Sequence, residues 1–333
     1  MPQLRQNIAT KEWVIIATER ARRPEDFTKK EKSQKEPTPE YSPNCPFCPG
    51  NEHLAPVETF SIRKNNEWQV RVIPNKFPAL VPEGSSEFYH RGIIRYMNGV
   101  GIHEVIIETP KHNLIIPQMS YEQVINIIQT YKNRYLSAIS DERIELVTLF
   151  KNHGESAGTS LEHPHSQIIA SPVVPQHIRN RIEEAMRYYD DNRECVFCRM
   201  VREEISQGER IIIETKNFVG FIPYAASSPF HTWILPKRHI PSFPMITEEE
   251  IVEFAQILRD ILLKIYKGLD NPDFNYVIRS LPGKCRENDF FHWYLSIIPR
   301  VTKTAGFELG SGMFINIALP EESAKFLREV SIK

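Results

Sequence analysis

Two Cys-x-x-Cys pairs and their companion histidines hold most of the chemistry this chain can do. Cys45-Pro-Phe-Cys48 recurs as Cys195-Val-Phe-Cys198. Each pair is followed by an apolar run ending in Pro, basic residues and His: Ile-Ile-Glu-Thr-Pro-Lys-His112, then Trp-Ile-Leu-Pro-Lys-Arg-His239. Each copy then has a His opening an apolar strand: His163-Pro-His165-Ser-Gln167, then His292-Trp-Tyr294-Leu-Ser296. Two thiols and two imidazoles are a usual donor set for a closed, tetrahedral, structural zinc site. The duplication therefore predicts two such sites: Cys45, Cys48, His112 and His163, and Cys195, Cys198, His239 and His292. His231 competes for the second set. The repeat aligns it with His103, at a strand start outside the ligand slot, so His239 is preferred. An iron ion or no metal are the alternatives for the second site.

The copies differ at one position. His165 lies two residues beyond His163, and its counterpart is Tyr294. Residues i and i+2 of a strand share a face. His165 can thus face a cleft beside the metal-held His163, with Gln167 on the same face offering an amide N–H to an anionic oxygen. An imidazole held at one nitrogen by an acceptor is a competent nucleophile toward phosphorus. The loop Asn152-His-Gly154-Glu-Ser-Ala-Gly158-Thr-Ser160 enters this strand and is expected to aim backbone N–H groups at phosphate oxygens. Arg20 and Arg23 offer forks for a phosphate monoester. Asn75, in Arg71-Val-Ile-Pro-Asn-Lys-Phe, is placed to contact a ribose or base. One working site and one remnant are expected.

These residues need elements to position them. Alternation predicts strands over 13–17, 68–73 and 103–108. Apolar spacing predicts helices over 120–138 and 247–267, opened by capping boxes at Ser120/Gln123 and Thr247/Glu250. Strands over 146–150 and 274–278 are counterparts, and 179–190 reads as a linking helix. The class is antiparallel α+β, with two domains, 1–180 and 181–333, each with its own core. Residues 25–44 read as an exposed charged loop.

Of the 333 residues, 41% are hydrophobic and 25% charged, as in a soluble globular protein, and the net charge is −1. No basic excess points to nucleic acid, no apolar run reaches membrane length, and no signal segment opens the chain. Five cysteines, Cys285 being outside both motifs, fit metal-bound thiolates in a reducing cytoplasm. A zinc-ribbon binding module is the reading from another class; the near-neutral charge weighs against it.

With these motifs assembled, the chain resembles the histidine-triad superfamily in its duplicated branch, that of the galactose-1-phosphate uridylyltransferases and ADP-glucose phosphorylases. The resemblance rests on Arg-Ala-Arg-Arg-Pro24, Cys45-x-x-Cys48, the Arg71–Leu80 segment, Asn152 to Ser160, His163-Pro-His165-Ser-Gln167, Phe-His292-Trp and Gly-Phe-Glu308-Leu-Gly. It implies two tandem HIT-like domains, each an antiparallel sheet with one long helix. It also implies a ping-pong reaction. His165 takes UMP from UDP-glucose, and the uridylyl-histidine passes it to galactose 1-phosphate. Gln167, Asn152, Gly158 and Ser160 would serve the phosphoryl oxygens, Arg20 and Arg23 the hexose phosphate, and Glu308 the sugar. Two structural zinc ions and a homodimer are implied as well. Ser166 stands where many uridylyltransferases have Gly and Lys76 where many have Asp, and the Glu308 tail lies closer to the phosphorylase pattern. ADP-glucose phosphorolysis through the same histidine is thus the alternative.

Overall fold

The computed structural model describes residues 1–17, 24–27, 38–283 and 288–332. Arg20, Arg23 and Cys285, and residues 28–37 of the charged loop, lie outside them. Within that loop's described part, Phe27 is buried and packs edge-on against Phe230 at 5.5 Å.

Strands β1 (Gln3–Gln6) and β2 (Trp13–Ile16) form a hairpin. The first half then supplies β3 (Phe60–Lys64), β4 (Glu67–Pro74), an outlying hairpin of β5 (Tyr89–Arg91) and β6 (Ile94–Tyr96), and β7 (Ile102–Ile107). Helix α1 (Tyr121–Ile139), β8 (Leu146–His153) and β9 (His165–Ser171) complete it. Helices α2 (Gln176–Asn192) and α3 (Val196–Gln207) lead into the second half. There β10 (Ile211–Glu214), β11 (Phe218–Phe221), β12 (Thr232–Pro236), α4 (Glu248–Gly268), β13 (Phe274–Arg279) and β14 (Tyr294–Pro299) repeat the order. Helix α5 (Gly306–Ser311), β15 (Phe314–Asn316), which joins β2 in parallel, and α6 (Pro320–Glu329) end the chain.

The class is α+β, and each half contributes an antiparallel array and one long helix. The halves do not keep separate sheets or cores, as the sequence suggested. One ten-stranded sheet runs β10-β11-β12-β14-β13-β8-β9-β7-β4-β3. Read outward from the β8–β13 seam, the two halves have the same strand order. The seam pairs Phe274 with His153 and Ile278 with Leu149. One apolar cluster spans both halves, from Val70 and Ile168 to Leu258 and Leu327, with α1 packed on α4. Two half-sheets closed on each other at the seam lose one exposed edge apiece, which favours the merger.

The register corrects the sequence alignment of β8 with β13 by one residue. Phe150 pairs with Gln167 and Arg279 pairs with Tyr294. Since Tyr294 matches His165, Arg279 matches Asn152, and Val277 matches Phe150. A one-residue shift changes which face a strand residue meets. Position 180, the expected boundary, falls inside α2.

The capping boxes divide. Thr247 and Glu250 make both reciprocal bonds. Ser120 accepts from the Gln123 N–H, but the Gln123 amide bonds elsewhere, donating to the carbonyls of Gln69 at 2.8 Å and Glu108 at 2.6 Å. It ties α1 to the strands that lead into the site. Gln123→Ala should lower the unfolding free energy by about 1–3 kcal/mol, the cost of stranding buried carbonyls. Urea denaturation measures it, and an unchanged midpoint would mean that water replaces the amide.

Candidate active site and metal centres

The first Cys2His2 group is assembled from three places. Cys45 and Cys48 sit in a tight loop, His112 follows β7, and His163 precedes β9. The His163 Nδ1 lies 3.7 Å from Cys45 Sγ, 3.6 Å from Cys48 Sγ and 3.3 Å from His112 Nδ1. Cys48 Sγ to His112 Nδ1 is 3.5 Å. A tetrahedral ion with Zn–S of ~2.3 Å and Zn–N of ~2.05 Å spaces S and N ligands roughly 3.5 Å apart and two nitrogens roughly 3.3 Å apart. The four separations match the edges of such a tetrahedron, and all four donor atoms lie within 4.8 Å of one another. His163 Nε2–H donates to the Thr109 carbonyl at 2.8 Å, which leaves Nδ1 for a metal. Burial pulls His163 down to about 4, keeping it neutral.

The second group brings together Cys195, Cys198, His239 and His292. Cys198 Sγ lies 3.3 Å from His239 Nδ1 and 3.5 Å from His292 Nδ1. His239 Nε2–H donates to the Asn288 carbonyl at 2.9 Å. Chiefly the hydrogen bond from Cys198 lowers the Cys195 thiol below its usual range, so one proton is shared across the pair. His231 lies elsewhere, its Nε2 2.8 Å from Ser296 Oγ.

His165 opens β9 with 6% of its surface exposed. Its Nδ1–H donates to the His163 carbonyl at 2.8 Å, and the Phe47 ring braces it edge-on at 5.5 Å. Nε2 therefore keeps its lone pair. Burial lowers the imidazole below its usual pKa, and the nearby Lys151 charge adds to the shift. The group is a neutral base or nucleophile at neutral pH.

Under the strand, on the opposite face, lies a buried polar network. Lys151 Nζ is 2.6 Å from Glu108 Oε2, and both residues are almost fully buried. The same ammonium donates to the His165 carbonyl at 3.1 Å. Ser166 donates to Glu108 Oε1, and Tyr131 links Ser166 to Tyr276 of the second half, with 2.6 Å between the two phenol oxygens. The Ser166 hydroxyl thus has a structural task that Gly could not perform.

Gln167 and Asn75 do come together, through His103, whose part the sequence reading missed. The Ala79 N–H donates to His103 Nδ1 at 3.0 Å, and Nε2–H donates to Gln167 Oε1 at 2.8 Å. Asn75 Nδ2 lies 3.5 Å from the same oxygen. The Gln167 carbonyl is fixed, so its NH2 is presented on the face of His165. His103 and Gln167 are diagonal neighbours on antiparallel strands, a signal available only once register is known.

The Gly-rich loop is wired differently from the expectation. Ser156 N–H and Oγ both donate to Asp273 Oδ2, at 2.7 and 2.5 Å. The N–H groups of Ala157, Gly158 and Thr159 bond Gly154 and Glu155 carbonyls. These donors are spent within the loop and are not aimed at a ligand. Gly154 has φ +86°, and a Cβ there would overlap the Asp273 carboxylate. Asn275 clamps the loop by donating to Asn152 Oδ1 and the Ala157 carbonyl, both at 2.8 Å. Two residues beyond the Phe150–Gln167 pair, the register of β8 with β9 carries Asn152 toward His165. Gly158 takes the left-handed conformation, and Ser160 is exposed. Glu308 lies in α5, where its carboxylate accepts from the Ala305 N–H at 2.9 Å.

Fold and site together define a transferase assembled from a duplicated half, with metal-type donor clusters in both copies. A model described as galactose-1-phosphate uridyl transferase, N-terminal domain, matches residues 1–175, and its C-terminal counterpart matches residues 181–313. The chain belongs to the galactose-1-phosphate uridyl transferase family. It is 37% identical over 336 residues to an ADP-glucose phosphorylase of Arabidopsis thaliana, covering 99% of this chain and 93% of that one. It is 29% identical over 343 residues to a galactose-1-phosphate uridylyltransferase of Thermotoga maritima, covering all of both. The crystal structure of an ADP-glucose phosphorylase from Arabidopsis thaliana with bound ADP-glucose superposes with a TM-score of 0.84 at 32% identity, over 99% of this chain and 100% of that one. Among the described residues no helix is long and apolar enough to cross a membrane.

Each donor cluster should hold one metal ion. Elemental analysis of purified protein should find two equivalents per chain, and Cys45→Ser or Cys195→Ser should each lose one. Two equivalents in either variant would show that its cysteine is not a ligand.

Proposed function

We propose that the chain moves UMP from UDP-glucose to galactose 1-phosphate through a uridylyl group on His165. The observation that carries this reading is the fixed tautomer: Nδ1–H is committed to the His163 carbonyl, which leaves the Nε2 lone pair for the phosphorus. In the first step Nε2 attacks the α-phosphorus. A P–N bond forms, and the bond to the glucose 1-phosphate oxygen breaks. In the second, a phosphate oxygen of galactose 1-phosphate attacks the same phosphorus and the P–N bond breaks, returning a neutral imidazole. The Gln167 NH2 stabilises the phosphoryl oxygens, where charge builds up. Asn75, Asn152 and Ser160 serve the nucleotide and phosphate, Gly158 shapes their loop through its left-handed turn, and Arg20, Arg23 and Glu308 serve the hexose phosphate. Zinc in both Cys2His2 groups is structural, since protein fills all four positions. The unit 1–180 carries the chemistry, and 181–333 pairs with it.

A second reading, ADP-glucose phosphorylase, is favoured by the 37% identity to that enzyme along nearly the whole chain. It uses the same histidine with inorganic phosphate as acceptor. Lys76 and the Glu308 tail are its markers.

His165→Ala should abolish transfer, a loss of at least about a thousandfold, without changing metal content. The assay pairs UDP-glucose plus galactose 1-phosphate with ADP-glucose plus inorganic phosphate. Faster turnover in the first arm supports the uridylyltransferase, and in the second the phosphorylase. Retained turnover in the variant defeats both.

We also read the protein as a cytoplasmic homodimer. The β5–β6 hairpin exposes Phe88, Ile93, Ile94 and Tyr96 and, among the described residues, pairs with no other strand. A lone hairpin is only marginally stable in water, so a partner surface suits it. Sedimentation should give a dimer, and Ile93→Asp with Ile94→Asp should shift it toward monomer. A wild-type monomer at micromolar concentration would refute this.

A further inference from the structure

The second half keeps a counterpart of the His165 cleft. Tyr294 opens β14 as His165 opens β9, and Phe197 contacts it at 5.4 Å as Phe47 contacts His165. Ser296 bonds His231 as Gln167 bonds His103. Arg279 pairs with Tyr294 in the sheet, the place of Asn152 beside His165. Arg181, from α2, reaches the same cleft, which Thr148, Ser280 and Phe291 help to line. Its enclosed volume is only about 20 Å³, and the rest of the cleft opens to solvent.

The charges there do not balance. Arg181 donates to the Glu12 carboxylate at 3.0 Å. The Arg279 guanidinium has no hydrogen-bond or ion-pair partner among the described residues, and it is partly buried. Arginine cannot discard its proton, so a confined guanidinium needs an anion or water. Burial lowers the Arg279 pKa and the Arg181 charge adds to it, while Tyr294 and the Glu12 carboxylate oppose the shift without cancelling it.

We propose that this cleft binds a phosphoryl group without transferring it: inorganic phosphate, or the phosphate of a monoester whose remainder extends into solvent. Arg279 and Arg181 supply the forks, and Tyr294 lines the floor. No covalent phosphoryl species forms there, because a phenol stands where the first half has an imidazole. The site is separate from His165 and stands whichever acceptor that histidine uses.

The test is equilibrium dialysis of full-length, metal-loaded protein against labelled inorganic phosphate, with glucose 1-phosphate in a second arm. His165→Ala is used so that no turnover intervenes. The expected result is saturable phosphate binding of which one site, separate from any occupancy of the His165 site, is weakened at least tenfold by Arg279→Gln, while Arg279→Gln in the wild-type background transfers within twofold of normal; only this Arg279-dependent site is read in both arms. Arg279→Lys, which keeps charge without the fork, should bind with intermediate affinity. Binding in the phosphate arm alone identifies free phosphate as the ligand, and binding in both identifies the phosphoryl group itself. If Arg279→Gln loses its circular-dichroism signal or metal, Arg279→Lys and Arg181→Gln decide. Phosphate binding unaffected by all three variants, or no saturable binding, overturns the proposal.

Discussion

The pairing of β8 with β13 is the constraint on which the rest depends. It joins two half-sheets that would each expose an edge, and it sets α1 against α4 over one shared core. It also carries the second half into the first half's site. Asp273 and Asn275, at the start of β13, hold the loop that follows β8. Tyr276, from the same strand, reaches the network beneath His165. Loss of the seam would free the loop and open a buried ion pair to water, so the half that carries His165 depends on the other for its arrangement.

His165 is fixed from three directions. The Cys45, Cys48, His112 and His163 cluster anchors the residue two before it. The His163 carbonyl sets its tautomer, and Lys151 holds its own carbonyl from below. Two charges buried at Glu108 and Lys151 are costly to desolvate, and such a pair is seldom a net gain over apolar packing. Here every atom of the pair is matched: Oε1 by Ser166 and Tyr131, Oε2 by Lys151. A satisfied polar network specifies one arrangement of the strand, and such specificity is of use where a single nitrogen must meet a phosphorus in line.

Much of this was legible in the sequence for a physical reason. The repeat is written in residue types with few substitutes, Cys and His at metal spacing, and both helices carry a clean 3.6-residue period. The single sheet was not legible, because nothing local states that β8 will pair with its own counterpart. The β8-to-β13 alignment slipped by one residue for a related reason: Leu146–Phe150 and Phe274–Ile278 are apolar enough that either register fits the pattern. Gln123 satisfied a capping motif in sequence, but the carbonyls it serves lie on β4 and β7. The loop after β8 was read from its glycines as a phosphate cradle. Its glycines instead provide a left-handed turn at Gly158 and room for Asp273 at Gly154.

The two halves show what a duplicated fold can shed. In register, the second half has Pro236 for Glu108, Ile278 for Lys151 and Leu295 for Ser166. These three changes remove one charge pair and its hydroxyl together. Each alone would strand a buried polar partner, so the set is coupled. Ile278 and Leu295 join the apolar core there. The cleft face followed another course, with Tyr294 for His165 and Arg279 for Asn152. The core face became apolar while the cleft face gained a cation. Simple decay of an unused site predicts loss of polar groups on both faces. An added guanidinium on the cleft face alone is the pattern of a face that still meets an anion.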